Sequence, residues 1–117
     1  MIEILKSKIH KATVTEADLD YIGSITIDEE LIEKSGLVEG EKVLVVDNTN
    51  GERLETYVIK GERDSGKICM NGASAWKIKK GDEIIIMGFE LINKDEKSNL
   101  KIKNILVDKN NKFLRYL

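Results

Sequence analysis

The chain has no proline, one cysteine, one histidine and one tryptophan among 117 residues, and aromatics make up only 5% of it. Without proline, every tight turn falls to Gly, Asn and Asp. A lone Cys69 excludes an intrachain disulfide and a cysteine-rich zinc site, and its place between Ile68 and Met70 reads as a buried strand position, not a nucleophile. With His10 as the sole histidine there is no multi-histidine metal centre, which argues against metal-dependent chemistry. Also absent are a GxGxxG or GxxxxGK[ST] phosphate loop, an HExxH helix and a GxSxG elbow, which argues against conventional serine hydrolysis. No apolar run is long enough for a signal peptide or a bilayer span, so the expected location is the cytoplasm, away from any membrane. Charge of one sign is lacking too: the net value is −2 and the pI about 5.5, against broad affinity for nucleic acid.

What is present is a soluble globular composition, 41% hydrophobic and 34% charged, at a length that predicts a single domain over 1–117. A domain this small has difficulty building a deep pocket alone, so pockets shared between subunits are plausible. Residues 1–9 alternate as a strand that puts Lys6, Lys8 and His10 on one face and Leu5, Ser7 and Ile9 on the other. Thr15 with Glu16, Ala17 and Asp18 has the spacing of a helix N-cap, predicting a short helical turn before Leu19. Asp28 is placed to cap a helix over 29–35 that Gly36 stops. The DNTNG segment between two β-prone runs predicts a hairpin whose second arm runs from Arg53 to Lys60. A short strand KICM then precedes a loop entering a helical turn at NGASAW. The polar stretch 92–101 reads as a loose connector, and the tail supplies an edge strand over 102–107 and an apolar end suited to docking on a neighbour.

Residues 38–46, VEGEKVLVV, and 79–87, KKGDEIIIM, align glycine over glycine, then acid, charged residue and four apolar residues. Such an internal repeat predicts two interlocked β halves closing on one core. The continuous apolar runs VLVV and IIIM predict strands covered on both faces.

Gly23 and Ser24 interrupt an apolar, strand-like run, LDYIGSITID, where glycine is costly unless the backbone bends. On its own the pair fits a bulge or turn. It also fits chemistry, because Gly23 leaves its carbonyl open to attack by the Ser24 hydroxyl. On the hairpin arm, Arg53 and Tyr57 share one strand face and Thr56 takes the other, so all three meet one site only through a bulge or through neighbouring subunits.

The blocks KIHKATVTEADLDYIGSITID, DNTNGERLETYVI, SGKICMNGASA and KGDEIII together resemble the pyruvoyl-dependent aspartate decarboxylases of pantothenate biosynthesis, from residue 1 to about 91. The resemblance implies an all-β fold, a six-stranded double-psi β-barrel with short helices, assembled as a homotetramer with active sites between subunits. It implies that Ser24 attacks the Gly23 carbonyl, supported by Thr56, and that cleavage yields a β chain of 1–23 and an α chain of 24–117. Residue 24 then becomes a covalent pyruvoyl cofactor, which takes up the amine of L-aspartate as a Schiff base and accepts electrons as carbon dioxide leaves. Arg53 and Lys8 match carboxylate-binding positions, Asn71, Gly72 and Ala73 line the substrate, and Tyr57 matches the proton donor to the decarboxylated carbon. His10, Tyr21 and Ala75 match supporting positions. Whether a partner protein assists maturation stays open. Trp76 and the lysines at 77–80 depart from the family pattern, and the tail 92–117 is the variable part. Two other readings remain at this point: decarboxylation of another acidic amino acid, and a non-catalytic β-barrel regulator that binds DNA.

Overall fold

A long first arm of the chain closes the sheet on itself. In the computed structural model, which describes residues 1–117, this arm consists of β1 (Ile2–Thr13) and β2 (Glu16–Asp18). The chain continues through β3 (Ser24–Asp28), α1 (Glu29–Ser35), β4 (Lys42–Asp47), β5 (Arg53–Gly61) and β6 (Ile68–Asn71). A 3-10 turn over Gly72–Trp76 leads to β7 (Glu83–Ile92), and another over Lys94–Asn99 to the tail hairpin β8 (Lys103–Val107) and β9 (Phe113–Tyr116). The strand order is β2-β6-β3-β5-β4-β7-β1-β8-β9. Because β1 lies on β7 at one end and its continuation β2 lies on β6 at the other, the arm joins the two ends into a ring. The change of partner falls at Val14 and Thr15, whose N–H groups donate to Asp82 O (2.9 Å) and Ile68 O (2.8 Å).

Counting the arm once leaves a barrel of six strands, with β8 and β9 added outside β1. The halves are related as the repeat predicted. Gly40 and Gly81 take φ of +88° and +92°, conformations that a side chain rarely tolerates, and donate to Val58 O and Val14 O, both at 2.8 Å. β4 and β7 then pair antiparallel, with Val45 opposite its own repeat equivalent, Ile86. In each half one strand runs parallel to a non-sequential neighbour, β3 beside β5 and β6 beside β2, and β3 and β6 meet antiparallel. This is an all-β fold with short helices, in keeping with the double-psi β-barrel expected. Its core is lined by Ile9, Ile25, Ile27, Val43, Val45, Val58, Ile68, Met70, Ile84 and Ile86. No helix is long and apolar enough to cross a membrane.

Several local expectations hold. Asp28 caps α1 through Glu30 N (2.9 Å), and Gly36 ends it at φ +76°. Lys6, Lys8 and His10 are half-buried, whereas Ser7 and Ile9 are buried on the opposite face. Cys69 is buried in β6.

Other expectations are corrected. Residues 16–18 form a strand instead of a helical turn, because the Thr15 hydroxyl is committed across the sheet: Oγ1 donates to Ile68 O and accepts from Ile68 N, both at 3.0 Å. The apolar runs of β4 and β7 are not covered on both faces within one chain. Val43, Val45, Ile84 and Ile86 are buried, but Leu44, Val46, Ile85 and Met87 on the other face are only half-buried. The tail strand is no edge, since β8 lies between β1 and β9. The connector gains a 3-10 turn closed by a capping box of Asn93 and Glu96.

Candidate active site

After β2 the chain turns tightly, with Asp18 Oδ1 accepting from Asp20 N at 3.0 Å, and carries Leu19, Tyr21 and Ile22 outward. Ser24 then enters β3 fully buried, opposite Asn71 of β6. Burial of a hydroxyl requires partners, and it has two. Ser24 Oγ donates to Ile22 O at 2.9 Å and accepts from Asn71 Nδ2 at 2.9 Å. The same Nδ2 donates to Thr26 Oγ1 at 2.9 Å, and Cys69 Sγ donates to Asn71 Oδ1 at 3.0 Å.

The next residue explains why the loop lies so close. Gly72 has φ +66°, and a Cβ there would stand 2.7 Å from Gly23 Cα, 2.9 Å from Gly23 N and 3.1 Å from Tyr21 O. The backbone of Gly72 is thus a cradle for residues 21–23 that only glycine leaves open. Gly23, in contrast, has no positive φ and nothing within 4 Å of a would-be Cβ, so one side of it is unobstructed. A group generated from Ser24 fits this site: the residue is buried, held at Oγ from two sides, and preceded by an unhindered glycine.

β5 is regular where it carries the other candidates. Arg53 to Tyr57 pair with Val46 to Lys42 without a bulge, so Arg53, Glu55 and Tyr57 face outward while Thr56 points to the opposite side, half-buried. The bulge alternative for bringing all three together is therefore excluded. The parallel register of β3 and β5 sets Ile25 beside Val58. The ladder begins there, so Ser24 and Tyr57 each stand one residue before its first pair.

Lys8 and His10 lie elsewhere on the sheet. Lys8 is opposite Met87, Met87 is opposite Leu44 and Leu44 is opposite Glu55, which places all four in one row on the outer face. In the next row Ile85 is opposite Val46 and Val46 opposite Arg53, while His10 and Lys11 oppose Ile85 at a bulge where Lys11 takes φ +65°. The candidate residues of β1 and β5 thus flank a strip made by Leu44, Val46, Ile85 and Met87. Three strand spacings, about 14 Å, separate its two rims. His10 Nδ1 is buried without a partner; burial first, then Lys8 and Lys11, push its pKa below the ordinary imidazole value, so it is uncharged at neutral pH.

A cleft of about 390 Å³ opens beside Asn71 and Thr26, with Tyr21, Asp18, Lys60 and Lys67 among its walls. Ala73 is exposed and Ala75 buried under the 3-10 turn. Trp76 is on the surface with Lys79 Nζ 5.6 Å from its ring centroid. One chain therefore gathers Tyr21, Gly23, Ser24, Asn71 and Gly72, with Thr56 and Tyr57 on the adjoining strand, and leaves Lys8, His10 and Arg53 apart. Sequence reasoning missed Thr26 and Cys69. Each lies two residues from a recognised one, on the same strand face, and that spacing is the signal that could have found them.

The aspartate decarboxylase family model matches residues 1–114. An aspartate 1-decarboxylase of Caldicellulosiruptor saccharolyticus is 58% identical over 115 residues, covering 98% of this chain and 90% of that one. Similar relatives of the same name occur in Acetivibrio thermocellus, 56% identical over 97% of this chain and 90% of that one, and in Bacteroides thetaiotaomicron, 56% identical over 92% of each. Among solved structures, a computationally designed protein matches at TM-score 0.46 and 21% identity, over 74% of this chain and 99% of that one, a likeness too loose to bear on function.

Proposed function

The chain belongs to the aspartate decarboxylase family, and on that premise we propose that it cleaves itself between Gly23 and Ser24 and then converts L-aspartate to β-alanine and carbon dioxide. The observation that carries the reading is the buried Ser24, hydrogen-bonded on both sides of Oγ and preceded by the loop that Gly72 alone can accommodate.

In maturation Ser24 Oγ bonds to the Gly23 carbonyl carbon, the Gly23–Ser24 C–N bond breaks, and the freed nitrogen takes the proton that the hydroxyl gives up. Negative charge develops on the Gly23 carbonyl oxygen as the tetrahedral centre forms, and a positioned donor there lowers the barrier. Thr56, which the resemblance to the family matches to this step, is assigned that role. Loss of the Ser24 Cα proton then expels Gly23 as a carboxylate, and one water in and one ammonia out leave a pyruvoyl group at residue 24.

When formed, that group supplies a conjugated carbonyl able to accept the electrons released as the α-carboxylate leaves. The chain's own residues do the rest. Arg53 offers two parallel N–H donors to a carboxylate and Lys8 a second cation. Tyr57, on the outer face of β5, is assigned proton delivery to the α-carbon. Asn71, Gly72, Ala73, Tyr21, His10 and Ala75 shape and orient the pocket. Because Arg53, Lys8 and His10 stand apart from Ser24 within one chain, the complete site requires a second copy whose outer face brings them in. The half-buried strip between them supports association with a second copy, and the resemblance to the family makes the assembly a homotetramer.

Intact mass under denaturing conditions tests the reading directly. Fragments 1–23 and 24–117, the larger one blocked at its N-terminus, are the expected result, with carbon dioxide released from aspartate far faster than from glutamate. Ser24→Ala should abolish both cleavage and activity. A wild-type chain that stays whole after prolonged warming and releases no carbon dioxide would sink the proposal.

A further inference from the structure

Asn71 can serve Ser24 only in one of its two amide orientations, because a carboxamide turned end for end presents oxygen where nitrogen stood. In the observed orientation both Nδ2 hydrogens are used, one on Ser24 Oγ and one on Thr26 Oγ1, each at 2.9 Å. Neither contact fixes the choice, since both partners are hydroxyls and would equally well donate to an oxygen. The third contact is different. Cys69 Sγ lies 3.0 Å from Asn71 Oδ1 and within the buried part of β6, and its other hydrogen-bond acceptor is Met70 O at 4.0 Å. A thiol is a donor and a very weak acceptor, so it favours the amide oxygen and gives a turned amide nothing in exchange.

We propose that Cys69 is a positioning residue for self-cleavage, setting the Asn71 carboxamide so that Nδ2 faces Ser24 Oγ. Its consequence falls on the Ser24 proton. With an N–H pointing at Oγ, the Ser24 O–H is directed to Ile22 O, 2.9 Å away, and a donor stands ready for the charge that builds on Oγ as its proton passes to the leaving nitrogen. With the amide turned, Oδ1 would draw the Ser24 O–H to itself and the donor would be gone. The role requires a protonated thiol; burial, and then the nearby Glu16 carboxylate, push the Cys69 pKa up, which keeps it protonated. Thr26 Oγ1 completes the arrangement by accepting the second hydrogen, so the amide has no reason to twist away from Ser24.

This inference rests on the self-cleavage reading, and the experiment separates the two. Freshly expressed wild type, Cys69→Ala and Cys69→Ser are followed by intact mass at constant temperature, with the thermal midpoint of each recorded. Wild-type cleavage alone decides the parent reading. Given it, Cys69→Ala should cleave about tenfold more slowly, the size of one lost orienting hydrogen bond. Cys69→Ser, which keeps a donor, should restore most of the rate even where its thermal midpoint is no higher than that of the alanine variant. Equal rates in wild type and Cys69→Ala, or no rescue by serine, would overturn the proposal. A second readout does not depend on cleavage: the side-chain amide resonances of Asn71 in the uncleaved chain should keep their wild-type shifts in the serine variant and move or broaden in the alanine variant. Unmoved resonances in Cys69→Ala would overturn it equally.

Discussion

Asp47 is buried, and its Oδ2 has no hydrogen-bond partner, although Oδ1 accepts from Thr49 N at 2.7 Å and Asn50 N at 3.3 Å. The group facing it is another carboxyl, Asp82, so two acceptors meet until a proton joins them. Burial first, then that neighbour, raise the Asp47 pKa above its ordinary value. A raised folded-state pKa means the folded chain holds the proton more tightly than the unfolded one, so the stabilisation is complete below the unfolded pKa and is lost as pH climbs through the folded one. Asp47→Asn keeps an acceptor for the two turn N–H groups and gives Asp82 a donor at every pH. It should raise the thermal midpoint at pH 7 by several degrees, on the scale of about 1 kcal/mol for satisfying one buried polar atom. The gain should shrink on acidification; a gain independent of pH would remove the carboxyl pair as its cause. Nothing in DNTNG hints at this pairing, because Asp82 comes from the other half of the chain and only the repeat's two-fold arrangement brings them together.

Two elements show how far local pattern reaches. The cap at Asp28 was legible because its requirements are local, a carboxylate two residues before Glu30 N, but the structure gives it more: Oδ1 also accepts from Asp64 N and Oδ2 from Gly66 N, each at 2.9 Å. Asp28→Ala therefore strips three N–H groups of their acceptor, and chemical denaturation should register a loss of about 2–4 kcal/mol, more than a cap alone. Thr15 had an equally good local pattern and its segment became a strand, since its hydroxyl found both backbone groups of Ile68 across the sheet. The same distinction applies to the glycines of the candidate site. Gly23 was recognised from its sequence context, whereas the steric demand sits on Gly72, visible only once β6 and the 21–23 loop are in place. Gly72→Ala combines a left-handed φ, costing about 1–2 kcal/mol, with a backbone clash. Cleavage monitored by mass should slow by at least about tenfold while the chain still folds. Unchanged cleavage would mean that the cradle does not control the geometry of the 23–24 bond.

For the molecule as a whole, the mismatch between sequence and single chain is itself informative. VLVV and IIIM read as strands covered on both faces, yet the lone barrel leaves Leu44, Val46, Ile85 and Met87 half-buried, with Phe89 and Leu91 exposed further along β7. A strip of this kind, with Lys8 and His10 on one rim and Arg53 on the other, has the composition of an interface: apolar in the middle and polar at its edge. The covered strands inferred from the sequence are thus reconciled with the structure if a second copy supplies the missing cover, and the same contact would bring the three cationic or imidazole side chains to a Ser24 that is not their own. Leu44→Asp tests this at the centre of the strip, at a position that contributes nothing to the barrel's buried core. Sedimentation should show a smaller species than the wild type forms, with aspartate decarboxylation falling by at least about a hundredfold if Lys8 and Arg53 reach the site from a second copy. Cleavage between Gly23 and Ser24 should persist, because Asn71, hydrogen-bonded to Ser24, and Gly72, packed against Gly23, belong to the same chain as that bond. A variant that sediments like the wild type, or a dissociated one that retains full activity, would place the interface or the substrate carboxylate elsewhere.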